Sequence, residues 1–143
     1  MKYEPTAASA NEYAKNNKLE EWVHTFLRNE GNNVDFSDGL MLEDRIYFAP
    51  KKMSLNLFER CCGPEKGMKF QIPSEGFYKN VEAIAEKFKN SNWDMPPLII
   101  FKNNGKYELN DGNHRYEALR TLGIDRYWII LWKTADPQVL RRM

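Results

Sequence analysis

Residues 107–123 constrain the fold more than any other part of the chain. Tyr107-Glu108-Leu109 is strand-like, Asn110 to Arg115 is a polar turn around a single glycine, and Tyr116 to Leu122 runs as a helix that stops at Gly123. A strand that turns directly into a helix needs a sheet beside it and a covered face on the helix. At 100° per residue, Arg115, Ala118, Leu119 and Leu122 share one face. Three of these four are apolar, so this face packs inward, with Arg115 at its N-terminal end. Helical side chains lean toward the N-terminus. The guanidinium is therefore expected over the first turn, near the free backbone N–H groups and against the macrodipole. That placement costs stability unless an anion or a carboxylate is close.

The flanking segments supply the rest of an α+β fold with a small mixed sheet. Leu98-Ile99-Ile100-Phe101, after Pro96-Pro97, is a short continuous apolar run that suits a buried strand. Asn103-Asn104-Gly105-Lys106 is a hairpin-type turn. Tyr127 to Trp132 is strongly β-prone. Phe77, Val81, Ile84, Ala85 and Phe88 mark an amphipathic helix with Ser74 as its cap and Lys87 and Lys89 at its C-terminal end.

The N-terminal third adds helix. Leu19, Trp22, Val23, Phe26 and Leu27 recur at i, i+3, i+4, i+7 and i+8, with Glu20 and Glu21 in the first turn and Gly31 as the stop. Trp22 and Phe26 are expected to cover the chain's own sheet. His24 falls on the polar side and reads as a solvated histidine. Residues 1–16 read as an arm, frayed or docked on something else. Gly31 to Gly39 reads as a loop, Arg45 to Ala49 as a strand ended by Pro50, and Ser54 as the cap of a short helical turn through Leu57 and Phe58. Arg60 to Pro73 reads as irregular, and Asp136-Pro137 as the start of a terminal helix.

The turn brings together groups that suit an oxyanion. Free N–H groups at a helix start, the fork of Arg115 and the imidazole of His114 converge on one point, and Gly112 permits close backbone approach. Asp111 suits either a general base or a Mg²⁺ ligand. The same residues also allow a purely structural arrangement: Asp111 pairs with Arg115, Asn113 caps the helix, and His114 bonds to a carbonyl. Composition does not separate the two.

Other features narrow the function classes. The net charge is +1, whereas a dedicated duplex-DNA binder carries a clear basic excess. Nucleic acid is therefore not the favoured ligand. Cys61 and Cys62 are adjacent and form no disulfide framework, spaced zinc pair or C-x-x-C motif. The sequence has no transmembrane run and no secretory leader, and a cytoplasmic protein is expected.

The segment from Pro96-Pro97-Leu98-Ile99-Ile100 through Asp111-Gly112-Asn113-His114-Arg115-Tyr116-Glu117-Ala118-Leu119 to Trp132 resembles the ParB/sulfiredoxin superfamily. The resemblance extends loosely back to Arg45. It implies a division into an N-terminal arm and amphipathic helix over 1–44 and a ParB/sulfiredoxin-like domain over 45–143. It also implies that Gly112, His114 and Arg115, with Asn113 between them, hold nucleotide phosphates. Arg60 and Lys66 are candidates for a further cationic contact.

Departures from the family pattern refine these expectations. Sulfiredoxins place a nucleophilic cysteine where this chain has Asn113, so sulfinic-acid reduction is not expected. Partition ParB proteins carry a glutamate and two arginines in the turn and a following helix-turn-helix region. Asn113 and His114 break that pattern, so a partition clamp is not expected either. The turn of the free-serine kinases resembles Asp-Gly-x-His-Arg, which Asp111, Gly112, His114 and Arg115 match. Those kinases also use an upstream glutamate and lysine, for which Glu59 and Lys66 are candidates by type. The resemblance thus implies ATP or another nucleotide with Mg²⁺. The implied activity is phosphotransfer or nucleotide hydrolysis on a small substrate, with Asp111 and His114 catalytic. The alternative is a nucleotide-sensing or DNA-associated accessory module, or a nuclease.

Overall fold

The apolar runs at 98–101 and 127–132 lie at the centre of one mixed sheet. The computed structural model describes residues 1–60, 62–64, 68, 70–71 and 74–135. Three helices open the chain: α1 (Ala7–Lys15), α2 (Leu19–Arg28) and α3 (Val34–Leu40). Strands β1 (Arg45–Tyr47) and β2 (Lys51–Ser54) follow, then a 3-10 turn (Leu55–Leu57) capped by Ser54, β3 (Phe58–Arg60), β4 (Cys62–Gly63) and β5 (Phe70–Gln71). The rest is α4 (Ser74–Asn90), β6 (Leu98–Asn103), β7 (Lys106–Asp111), α5 (Asn113–Thr121) and β8 (Arg126–Thr134).

The main sheet runs β1-β8-β6-β7-β3, with β2 also on β8. β6 is parallel to β8 and β3 to β7, and the other pairs are antiparallel. β1 and β2 are two pieces of one edge, pairing Tyr47 with Trp132 and Lys51 with Ile129. Pro50 falls between them, where a missing N–H is tolerated. β4 and β5 form a separate parallel pair.

Both faces of the central strands are covered, which explains why β6 reads as a continuous apolar run. Ile99, Phe101, Ile130 and Trp132 pack with α1, α2 and α3. Their neighbours Leu98, Ile100, Ile129 and Leu131 pack with Leu109 and with Leu119 of α5 on the opposite face. Phe77, Val81 and Ala85 of α4 close over Ala118. In α2 the five periodic apolar residues are the five buried ones, and Trp22 stacks on Phe26 at 5.2 Å. Trp22 and Phe26 do cover the chain's own sheet.

The N-terminal third is more ordered than its sequence suggests. Residues read as an arm contain α1, capped by Thr6 and docked by Ala8 N–H to Asp94 (2.9 Å) and by Trp22 Nε1–H to the Glu4 carbonyl (3.0 Å). Its buried residues include Ala7, Ser9 and Ala10, small side chains that leave little hydrophobic signal. The loop read over Gly31–Gly39 contains most of α3. That helix also corrects the reading of His24. The ring is half-buried, with Nδ1 2.7 Å from the Ser37 hydroxyl and Tyr47 edge-on at 6.5 Å. β2 and β3 were not visible in the sequence, and the irregular stretch after Arg60 contains β4 and β5. The helix expected from Asp136 lies outside the described residues. No helix among the described residues is long and apolar enough to cross a membrane.

Candidate functional site

The site begins with an irregularity in β7. Leu109 pairs with Ile100 and Asp111 with Ile99, so Asn110 is an extra residue, a β-bulge. Simple alternation from Leu109 would send Asp111 toward α5. The bulge resets the alternation and puts Asp111 on the Ile99 side, which the N-terminal helices cover. There Asn110 Oδ1 accepts the Trp132 indole N–H at 2.9 Å, and Asp111 Oδ1 accepts Asn33 Nδ2–H at 3.0 Å.

Gly112 then turns the chain with φ 104° and ψ 25° and stands at the N-cap of α5. A side chain there meets two obstacles: a Cβ would lie 2.7 Å from Leu98 Cδ2 and 2.9 Å from Arg115 Nη2. The space left by the missing side chain is taken by Arg115 itself. The guanidinium reaches back over the first turn, as its place on the helix requires, and meets Asp111.

Arg115 is 8% exposed and its hydrogen bonds are well defined. Nη1 donates to the carbonyls of Pro96 (2.8 Å) and Pro97 (3.0 Å), and Nη2 donates to Asp111 Oδ2 (2.9 Å). The Phe26 ring lies 5.1 Å below the guanidinium. Burial weakens the hold of Arg115 on its proton, and the Asp111 carboxylate opposes that effect. Taking the charge out of water costs several kcal/mol, which only close partners offset. Both Asp111 oxygens are engaged, one by Arg115 and one by Asn33.

His114 is set differently. It is half-buried, with its ring 4.8 Å from Phe77, and the Arg60 guanidinium lies 4.9 Å from the same Phe77 ring. Burial, then Arg60 and Arg115, lower the His114 pKa, while Asp111 acts to raise it. The ring is therefore held neutral below the ordinary histidine range, and an arriving anion would reverse part of that shift.

These residues floor a cleft of 480 Å³, within the range of small-molecule sites. Asp111, Gly112, His114 and Arg115 form the floor. One wall is a stripe of α4 at helical spacing, from Asn80 through Ile84 to Lys87, about 10 Å long. The opposite wall is Phe26, Glu30 and Gly31 from the N-terminal helices. Trp93 lies at the Lys87 end, with the ammonium 4.0 Å from its ring. The cleft thus opens at one end of the sheet, where the two helix layers meet.

The structure brings some of the expected residues here and not others. Arg60 approaches through Phe77 and bonds Glu117 at 2.9 Å. Glu59 is exposed and pairs in register with Glu108, one position out of phase with Phe58 and Arg60, so it does not line the cleft. Asn113 is buried, with Nδ2 3.5 Å from the Leu109 carbonyl, and does not cap the helix. Lys66 lies outside the described residues. Sequence reasoning missed Asn33, Lys87, Trp93 and the Pro96 and Pro97 carbonyls. Of these, only Lys87 carried a signal, one helical turn beyond Ile84 toward the exposed face of α4.

No family model matches the sequence, and no curated protein matches it. Solved structures do. The fold resembles that of sulfiredoxin and of ParB N-domains. A conserved hypothetical protein from Pyrococcus furiosus is similar at 19% identity over 62% of this chain and 34% of its own, with a TM-score of 0.48. Sulfiredoxin from Arabidopsis thaliana is similar at 18% identity over 65% of this chain and 93% of its own, TM-score 0.47. A mutant free serine kinase in complex with AMP is similar at 21% identity over 57% of this chain and 30% of its own, TM-score 0.46.

Proposed function

We propose that this protein binds a nucleotide or a similar phosphate ester in the cleft over the Asp111–Arg115 turn. One observation carries the reading: the cleft has the N-terminus of α5 and His114 in its floor and Lys87 on a wall about 10 Å long. First-turn N–H groups and the helix dipole suit a phosphate. The apolar sides of Ile84, Phe26 and Trp93 suit a base and sugar. In this reading Gly112 and His114 face the phosphates, Lys87 meets the other end of the ligand beside Trp93, and Arg115 contributes whatever charge Asp111 leaves uncancelled.

A second reading adds turnover, as phosphotransfer or nucleotide hydrolysis, and is favoured by the presence of Asp111 in the cleft lining. It requires the carboxylate to leave Arg115 before it can act as a base. Magnesium fits only in a limited way. Among the described residues no three His, Cys, Asp or Glu side chains gather to hold a metal, and Asp111 already faces a guanidinium at 2.9 Å. The described residues do not form a Mg²⁺ site of their own, so in this reading the ion arrives with the phosphates.

The test is a thermal-shift and calorimetry panel of ATP, ADP, AMP, CTP and GTP, each with and without Mg²⁺. At least one nucleotide is expected to bind, and Lys87→Ala and His114→Ala are expected to weaken it by roughly fivefold or more. Absence of any shift at millimolar nucleotide would refute the reading. Turnover that disappears in Asp111→Asn, with binding retained, would establish the second reading.

A further inference from the structure

We infer that Asn33, in the N-terminal segment, is a positioning residue for Asp111 and thereby sets how much of the Arg115 charge a ligand can use. The inference rests on the phosphate-binding reading for its ligand arm and on geometry alone for its structural arm.

Asn33 Nδ2 donates to Asp111 Oδ1 at 3.0 Å across 78 positions of sequence. Asn33 is itself held. Its backbone N–H donates to the Leu27 carbonyl at 2.7 Å, and its own carbonyl accepts the Ser37 N–H at 3.2 Å at the start of α3. The amide therefore sits on a fixed support. Asp111 has two donors, one neutral from the N-terminal segment and one cationic from α5. Phe26, on the same segment, lies under the cation.

This arrangement gives Asn33 a defined effect. A phosphate at the α5 N-terminus competes with Asp111 for Arg115 Nη2. When the guanidinium turns, the carboxylate must keep a partner or stand buried without one, which is costly. Asn33 remains as that partner and lowers the cost of freeing Arg115. Without it, Asp111 depends on Arg115 alone and holds it against the ligand. The N-terminal helices thus supply a part of the site as well as covering the sheet.

The experiment is a charge swap with a binding arm, on the full chain. Asn33→Asp sets two carboxylates against each other, and Asp111→Asn removes the partner of Arg115. Each single variant is expected to lower the melting temperature. The double variant N33D/D111N restores one amide and one carboxylate, and it is expected to be more stable than the two losses predict. A coupling of roughly fivefold or more in the unfolding constant is expected for residues in contact. An additive double variant overturns the positioning role. In the binding arm, Asn33→Ala is expected to lower affinity for the nucleotide that binds the wild type best by about threefold or more, the loss of one modest hydrogen bond. Unchanged affinity overturns the ligand half of the inference. If the wild type binds no nucleotide, the phosphate reading and the ligand half that rests on it both fall, and the swap still decides the positioning role.

Discussion

Removing Asp111 should separate the structural and ligand-binding roles of the turn. In Asp111→Ala the buried Arg115 keeps the Pro96 and Pro97 carbonyls and loses its counter-charge. Breaking a buried pair from one side costs about 3–5 kcal/mol, because the remaining charge is left uncompensated. With an unfolding entropy of about 2.1 cal/mol/K per residue, a chain of 143 residues has about 0.3 kcal/mol/K at its midpoint. The melting temperature should therefore fall by roughly 10–17 °C. Equilibrium urea unfolding measures the loss directly, and a shift in midpoint at constant slope identifies it as stability. Folded Asp111→Ala protein should also bind phosphate compounds more tightly, because the competing carboxylate is gone. One charge-assisted hydrogen bond of about 1.5–3 kcal/mol corresponds to roughly ten- to a hundredfold in affinity. A stability loss under about 1 kcal/mol would refute the buried pair. Weaker binding in the folded variant would refute the competition and place Asp111 in contact with the ligand.

Three further outcomes follow from the geometry. Gly112→Ala forces a side chain into a left-handed residue against Leu98 and Arg115, and should cost at least about 1–3 kcal/mol in urea unfolding. Trp22→Ala empties a fully buried site between α2 and the sheet, and should cost about 3–5 kcal/mol by the same assay. Acidification should destabilise the protein, because burial lowers the pKa of both His24 and His114. A depressed pKa means that the unfolded chain takes up protons first. The stability these rings contribute is present above about 6.5 and is lost as pH falls toward the folded-state values. A His24→Gln/His114→Gln variant should show a shallower loss between pH 7 and pH 5 in urea titrations.

How much of this was legible in the sequence depended on where the signal lay. β6, β8, α2 and α4 could be read because their large apolar residues repeat at strand or helix spacing, and Trp22 and Phe26 were correctly expected to cover the sheet. α1 and α3 could not, because Ala7, Ala10 and Ser37 are buried without being strongly apolar. At the turn, the strand, the glycine and the inward face of α5 were all readable. Whether Arg115 met a carboxylate or waited for an anion was not. That depended on the bulge at Asn110, which aims Asp111, and on Asn33, which holds it. Neither leaves a local mark, since one is a register shift and the other a contact across 78 positions.

The charge of the cleft bears on which anion it suits. Among the described residues its ionisable lining comprises Lys87 and Arg115 against Glu30 and Asp111, with His114 held neutral. The formal sum is zero, so the cleft exerts little long-range pull on a polyanion. Recognition must come at short range, from the α5 N–H groups and His114 at one end of the cleft and Lys87 beside Trp93 at the other. A nucleic-acid backbone is bound through several cations at once, and its affinity falls steeply with salt as counterions are released. Among the described residues the lining offers no row of cations for that. A single nucleotide needs only one phosphate group seated on the helix start, and accompanying Mg²⁺ would bring its charge closer to that of the cleft. Nucleotide affinity should therefore change by only a few-fold between 50 and 200 mM salt, whereas a DNA-associated function requires a loss of about 10³ or more for six phosphate contacts. A steep salt dependence, in DNA or nucleotide titrations, would move the functional surface away from this cleft.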